Sequence, residues 1–198
     1  MDLVSRVQAI LLKPKEEWVN IKEETSTVAE LFKSYAVILA AIPAVARFIQ
    51  VCLIGQRIPL IGWQRSNIGS GLVEAVLTYA LTLVSVYVGA LVINALAPTF
   101  TSTPNQINAL KLVVYSMTPA WVAGVLYIIP YLGILAGLAG LYGLYILYLG
   151  FATPMMDTPK EKVMGYFIIS LVVIIVLYAV VGLISGAIFV ASGGLRPL

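Results

Sequence analysis

Few residue types able to do chemistry are present, and fewer converge. The 198-residue chain has no histidine and a single cysteine, Cys52. Ser-His-Asp triads, histidine metal sites, internal disulfides and cysteine-rich metal centres therefore cannot be built. Asp157 and Glu161 lie four residues apart beside Lys160 and Lys162. That pattern reads as a solvated loop, without the paired acidic motif of a metal site. Two ionisable groups stand apart from it. Arg47 and Glu74 each sit within an otherwise apolar stretch. Such groups are costly in a bilayer and are functional candidates by default. They could pair across the first helical hairpin, as part of an ion path or as a structural salt bridge. A proton relay needs a series of such groups, and the later apolar stretches offer only Lys111 near an end. No catalytic residue and no cofactor is expected, and the enzyme class is the weakest.

The elements that must position these residues are membrane helices. Hydrophobic side chains make up 61% of the chain and charged ones 11%. Soluble domains carry about 25% charged residues, and one of this size could not cover itself with so few. The charges also map the crossings. No charge appears in the 36 residues between Glu74 and Lys111, in the 45 from Leu112 to Met156, or in the 33 from Val163 to Leu195. A helix crosses the roughly 30 Å hydrocarbon core with about 20 residues. The 45-residue run is thus two crossings, and Pro130 places a turn at Ile128–Leu132. Pro98–Asn108 is polar and reads as a loop.

The expected fold is all-α: a five-span membrane helical bundle, with spans near 34–54, 71–97, 107–129, 132–152 and 164–190. Residues 1–33 form amphipathic cytoplasmic helices and 34–198 the membrane domain. Thr27–Glu30 is a capping box, and Thr103-Pro104-Asn105-Gln106 and Thr158-Pro159-Lys160-Glu161 repeat its logic. Asn94 is expected to bond a neighbouring helix. Pro43 and Pro119 can kink their spans.

Positive charge sets the orientation. With the N-terminus inside, eight cations (Arg6, Lys13, Lys15, Lys22, Lys33, Lys111, Lys160 and Lys162) lie inside and three (Arg57, Arg65 and Arg196) outside. The N-terminus is therefore expected in the cytoplasm and the C-terminus outside, in the cell membrane. The first 30 residues contain five glutamates and no apolar core before a small-residue cleavage site, so no cleaved signal peptide is expected.

Within Met1–Lys13, Leu3, Val4, Val7, Ile10 and Leu11 share one face, with Arg6 largely opposite. Pro14 starts a second helix that places Trp18 at the membrane interface. These helices could dock a cytosolic partner or pack as a lid on the protein's own cytoplasmic face. Trp18, Lys160, Glu161 and Lys162 are the candidate cytoplasmic interaction surface. The pairs Gly133/Gly137 and Gly182/Gly186, with Gly140, have the small-residue spacing of close helix packing, within the chain or in a homo-oligomer.

Three segments carry a resemblance. They are Lys13-Pro14-Lys15-Glu16-Glu17-Trp18, Tyr115-Ser116-Met117-Thr118-Pro119-Ala120-Trp121, and Leu141–Gly150 followed by Thr158–Lys162 and Gly165-Tyr166. Together with five spans, they resemble prokaryotic members of the Yip (Ypt-interacting protein) family. The resemblance implies a five-span protein with a cytoplasmic N-terminus. Eukaryotic members act in vesicle traffic, bind Rab-type GTPases and shape membranes. Their Asp-Leu-Tyr-Gly-Pro motif is absent here, and their Gly-Tyr-x-x-x-Pro segment reads Val114-Tyr115-Ser116-Met117-Thr118-Pro119. The expected function is a non-enzymatic membrane scaffold or adaptor, whose partners are the lipid bilayer and a cytoplasmic protein, with no nucleic acid. A small-solute transporter or channel is the alternative, on the strength of Arg47, the kink prolines and the glycine-rich helices.

Overall fold

Pro14 breaks the N-terminal segment into α1 (Leu3–Leu12) and α2 (Pro14–Glu23). The computed structural model describes residues 2–58, 62–153, 155–191 and 196–197. Asp2 caps α1 by accepting the Ser5 N–H at 2.8 Å. Its carboxyl is held below the usual 3.8, chiefly by that bond.

Among the described residues, five helices are long and apolar enough to cross a membrane. The first span, Val28–Ile54, opens on the Thr27/Glu30 capping box. It is α-helical over Val37–Ile49, with π-helical turns on either side at Phe32–Ala36 and Gln50–Ile54. It stops at Gly55, whose φ of 91° favours a residue without a β-carbon. The second span runs from Ile68 to Phe100, capped by Asn67. The third, Gln106–Ile128, is interrupted at Met117. Pro119 does not kink a continuous helix there. It lies in the first turn of a new segment, Thr118–Ala123, where its missing N–H costs nothing. The cap of the third span is Asn105 rather than Thr103, since the Asn105 carboxamide accepts the Asn108 N–H at 3.0 Å. A turn through Pro130 leads to the fourth span, Gly133–Ala152, and the fifth helix covers Lys160–Ala191.

At the end opposite α1 and α2 lies a small antiparallel ribbon in the order β1 (Gln56–Ile58), β2 (Gly62–Arg65), β3 (Arg196–Pro197). Strands of two to four residues are too short to show an alternating pattern, so the all-α expectation omits them.

The third span is the centre of the bundle. Its apolar stretch is 67% buried, against 17% for that of the fifth span. The outer surface is apolar, with Leu183, Ile134 and Leu141 all more than half exposed. An apolar exterior of this kind is expected where lipid replaces water.

The glycines that bring backbones together are not the ones spaced for it. A β-carbon at Gly143 would lie 2.5 Å from the Ser116 carbonyl oxygen, and one at Gly150 would lie 2.9 Å from the Trp18 ring. By contrast, Gly137, Gly140, Gly182 and Gly186 have nothing within 4 Å of that position. Gly133 meets only the Tyr127 ring, at 3.1 Å. The small-residue pairs therefore do not pack helices within this chain. The contact face of the fourth span is the one bearing Gly143, Ile146 and Gly150.

Candidate functional site: the junction of cap and bundle

The three sequence segments that carry the family resemblance meet at one place. Trp18, from the first, is fully buried. Its indole N–H donates to the Ile146 carbonyl at 2.9 Å, across 128 residues of chain. Its ring meets the Tyr115 ring edge-on at 6.2 Å. Tyr115 in turn meets Tyr35 at 4.9 Å, and the Tyr35 and Thr118 hydroxyls share a 2.8 Å hydrogen bond. Gly143 and Gly150 supply the space for this stack. The Tyr142 hydroxyl fixes the end of α1 by donating to the Leu11 carbonyl at 2.7 Å. Beside it, the Tyr166 ring stacks on Phe100 and its hydroxyl donates to the Ile93 carbonyl.

Trp18 is therefore neither an interfacial residue nor part of an exposed interaction surface. A tryptophan at that helix position can face lipid or protein equally well. The depression made by Gly150 and the acceptor at Ile146 decide for protein.

Charge is buried here as well. Arg6 was expected on the polar face of α1, yet it is 5% exposed, while Val4 is 63% and Leu12 79% exposed. Its guanidinium bonds both Glu17 and Glu24 and lies 5.7 Å from the Tyr115 ring centre. Burial works against the arginine charge. The Glu24 hydrogen bond and the field of Glu17 outweigh it, so the pKa is raised. Lys111 is 1% exposed. Its ammonium donates to the carbonyls of Ile21 (2.8 Å) and Glu24 (2.5 Å), the last turn of α2. Those carbonyls lack helical partners, and a cation there also opposes the negative end of the helix dipole. Arg6 and Lys111 are the residues that sequence reasoning missed. The available signal was Lys111 itself, a single charge between two long uncharged runs.

The remaining surface candidates stay exposed. Lys160 and Glu161 face outward, and Lys162 donates to the Thr101 hydroxyl. Thr158 accepts from Ser102 at 2.9 Å, and Lys22 pairs with Asp157 at 2.9 Å. The Thr103 N–H donates to the Met156 carbonyl at 2.9 Å. These bonds tie two loops and α2 into one polar face.

At the opposite end Arg47 and Glu74 do meet, as their positions suggested, at 3.9 Å. Arg47 also donates to the Gln50 side chain at 2.8 Å. Glu74 Oε2 is buried without a partner. So is Asn94 Oδ1, although a bond from Asn94 to a neighbouring helix was expected. Among the described residues, no group of three or more Cys, Asp or Glu side chains is placed to hold a metal ion.

No curated protein and no solved structure matches the chain. The model of the Yip1 domain does match, over residues 9–183. That stretch begins within α1 and takes in Glu17, Trp18, Lys111, Tyr115 and Gly150, so the junction lies largely inside it. The chain is a multi-pass membrane protein that belongs to the Yip1 domain family.

Proposed function

We propose that this protein is a non-enzymatic scaffold or adaptor of the cell membrane, with its N-terminus in the cytoplasm and its C-terminus outside. One observation carries the reading. A cleft of about 720 Å³ opens between the N-terminal helices and the start of the first span. Among the described residues, its rim bears Asp2, Glu23, Glu24 and Glu30 around one cation, Arg6. Arg6 already bonds Glu17 and Glu24, so the net field at the mouth is negative. Because the cap is locked to the bundle, the cleft is a preformed surface rather than a floppy tail, and preformed surfaces lose less entropy on binding. A basic segment of a cytosolic protein suits it. Lysine excess on the same side supports the orientation.

The test is site-specific photo-cross-linking from Thr25, with Lys160 as a second position on the polar face. Capture of a protein bearing a basic segment, lost when Glu23→Lys reverses the rim charge, is the expected result. Capture that ignores the charge reversal, or none from either position, would remove the basis for the proposal.

A small-solute carrier is the second reading. It is supported by a cavity beside Arg47 and Glu74. Toward the cap, however, the same bundle is filled by Tyr35, Thr118 and Trp121, all nearly fully buried. Solute flux in proteoliposomes that Arg47→Ala abolishes would favour this reading over the scaffold.

A further inference from the structure

The far end of the bundle holds a cavity of about 480 Å³ between the first, second and fifth spans, with Tyr127 of the third at its edge. Arg47 and Glu74 line it together with Phe48, Tyr178, Gly182 and Gly186. Gly182 and Gly186 leave it open, since a β-carbon at either would touch nothing. The two charges are 3.9 Å apart, beyond hydrogen-bond distance. Glu74 Oε2 faces no donor although it is shut off from solvent. A buried carboxylate oxygen in that state is destabilising and is normally satisfied by a partner.

The position of the cavity restricts that partner. Glu74 is about 9 Å along the second span from Ile68, and Arg47 about 10 Å from the end of the first span at Ile54. Both lie in the outer part of a hydrocarbon core about 30 Å thick, within reach of a lipid headgroup.

We propose that this cavity binds the headgroup of a phosphoethanolamine phospholipid. The primary ammonium donates to the Glu74 carboxylate, which turns its shielded oxygen into the cavity, the phosphate faces Arg47, and the acyl chains extend into the surrounding lipid. Charge complementarity selects this occupant. A phosphocholine head has no N–H to give Glu74, and a phosphoglycerol head brings no cation. This site lies opposite the acidic cleft and does not depend on the scaffold reading.

The test uses the full chain purified in detergent and exposed to phosphatidylethanolamine, phosphatidylcholine or phosphatidylglycerol of identical chains. Lipid retained per protein is read by native mass spectrometry. Phosphatidylethanolamine should be held about ten-fold more tightly than phosphatidylcholine, the worth of one charge-assisted hydrogen bond. Glu74→Gln should abolish that preference. Gly182→Leu leaves both charges in place and fills the cavity, and it should reduce retention of phosphatidylethanolamine. Circular dichroism reports whether each variant is folded. Equal retention of the ethanolamine and choline lipids would overturn the proposal, as would equal retention of phosphatidylglycerol. A preference that survives in folded Glu74→Gln and Gly182→Leu proteins would also overturn it.

Discussion

Two regions bury opposite charges in this protein, and they treat them differently. At the cap, Arg6 and Glu17 have side chains 6% and 4% exposed and in direct contact, with Glu24 on the same guanidinium. At the far end, Arg47 is 41% exposed and Glu74 14%, separated by 3.9 Å. The cap cluster spends its hydrogen-bonding capacity on itself: Asn20 donates to the second Glu17 oxygen, and Lys111 closes α2. The far pair leaves an oxygen over. Buried charge that is fully paired locks elements together, whereas buried charge that is partly paired marks a place where something else can bind.

Breaking the cap should cost most. Arg6→Ala strands Glu17 in a buried site, and losses of about 3–5 kcal/mol follow from removing one partner of such a pair. Thermal unfolding in detergent measures it, and protease should then reach α1. The double variant Arg6→Met with Glu17→Leu should recover much of that loss, because the stranded charge is gone.

Trp18→Ala should destabilise by about 3 kcal/mol or more, through the cavity it leaves and the lost indole hydrogen bond. The same melt reads it.

Gly150→Ala forces a methyl against Trp18 and Leu112 and should cost about 1–3 kcal/mol. Gly137→Ala meets open space and should change the melting temperature little. If the two behaved alike, the contact face assigned to the fourth span would be wrong.

Glu74→Gln should change stability by about 1 kcal/mol or less, since the pair is too long for a hydrogen bond and one carboxylate oxygen has no donor to lose. A loss as large as that of Arg6→Ala would erase the contrast between the two ends.

The smallest effect is at Asp2. Its pKa is depressed in the folded state by the Ser5 N–H, so its contribution is present above the ordinary value of 3.8. It is lost as pH falls below that through the folded pKa. Amide exchange at the start of α1 should therefore rise only in strong acid, and Asp2→Asn should flatten the dependence.

The bundle was legible in the sequence for a simple reason. Uncharged length and proline placement act locally, so the five crossings and the turn at Pro130 follow from the charge map and the prolines together. The capping box at Thr27 is local as well. The Arg47–Glu74 approach was readable because a single hairpin relates their depths. What could not be read depends on which distant helix comes near. Arg6 reads as a polar-face residue until Glu17 and Tyr115 surround it. Gly143 and Gly150 are ordinary glycines until Ser116 and Trp18 press on them. The spaced pair Gly182 and Gly186 lines a cavity instead of a contact, because spacing reports which face a residue shares and says nothing of what that face meets.

The bond from Trp18 to Ile146 also sets an order of events during synthesis. The acceptor lies 128 residues after the donor. At roughly 5–20 residues per second, α1 and α2 wait about 6–26 seconds after emerging before their docking groove exists. Throughout that interval the indole and the buried faces of both helices are uncovered. The nascent chain therefore offers a binding surface that the finished protein no longer has.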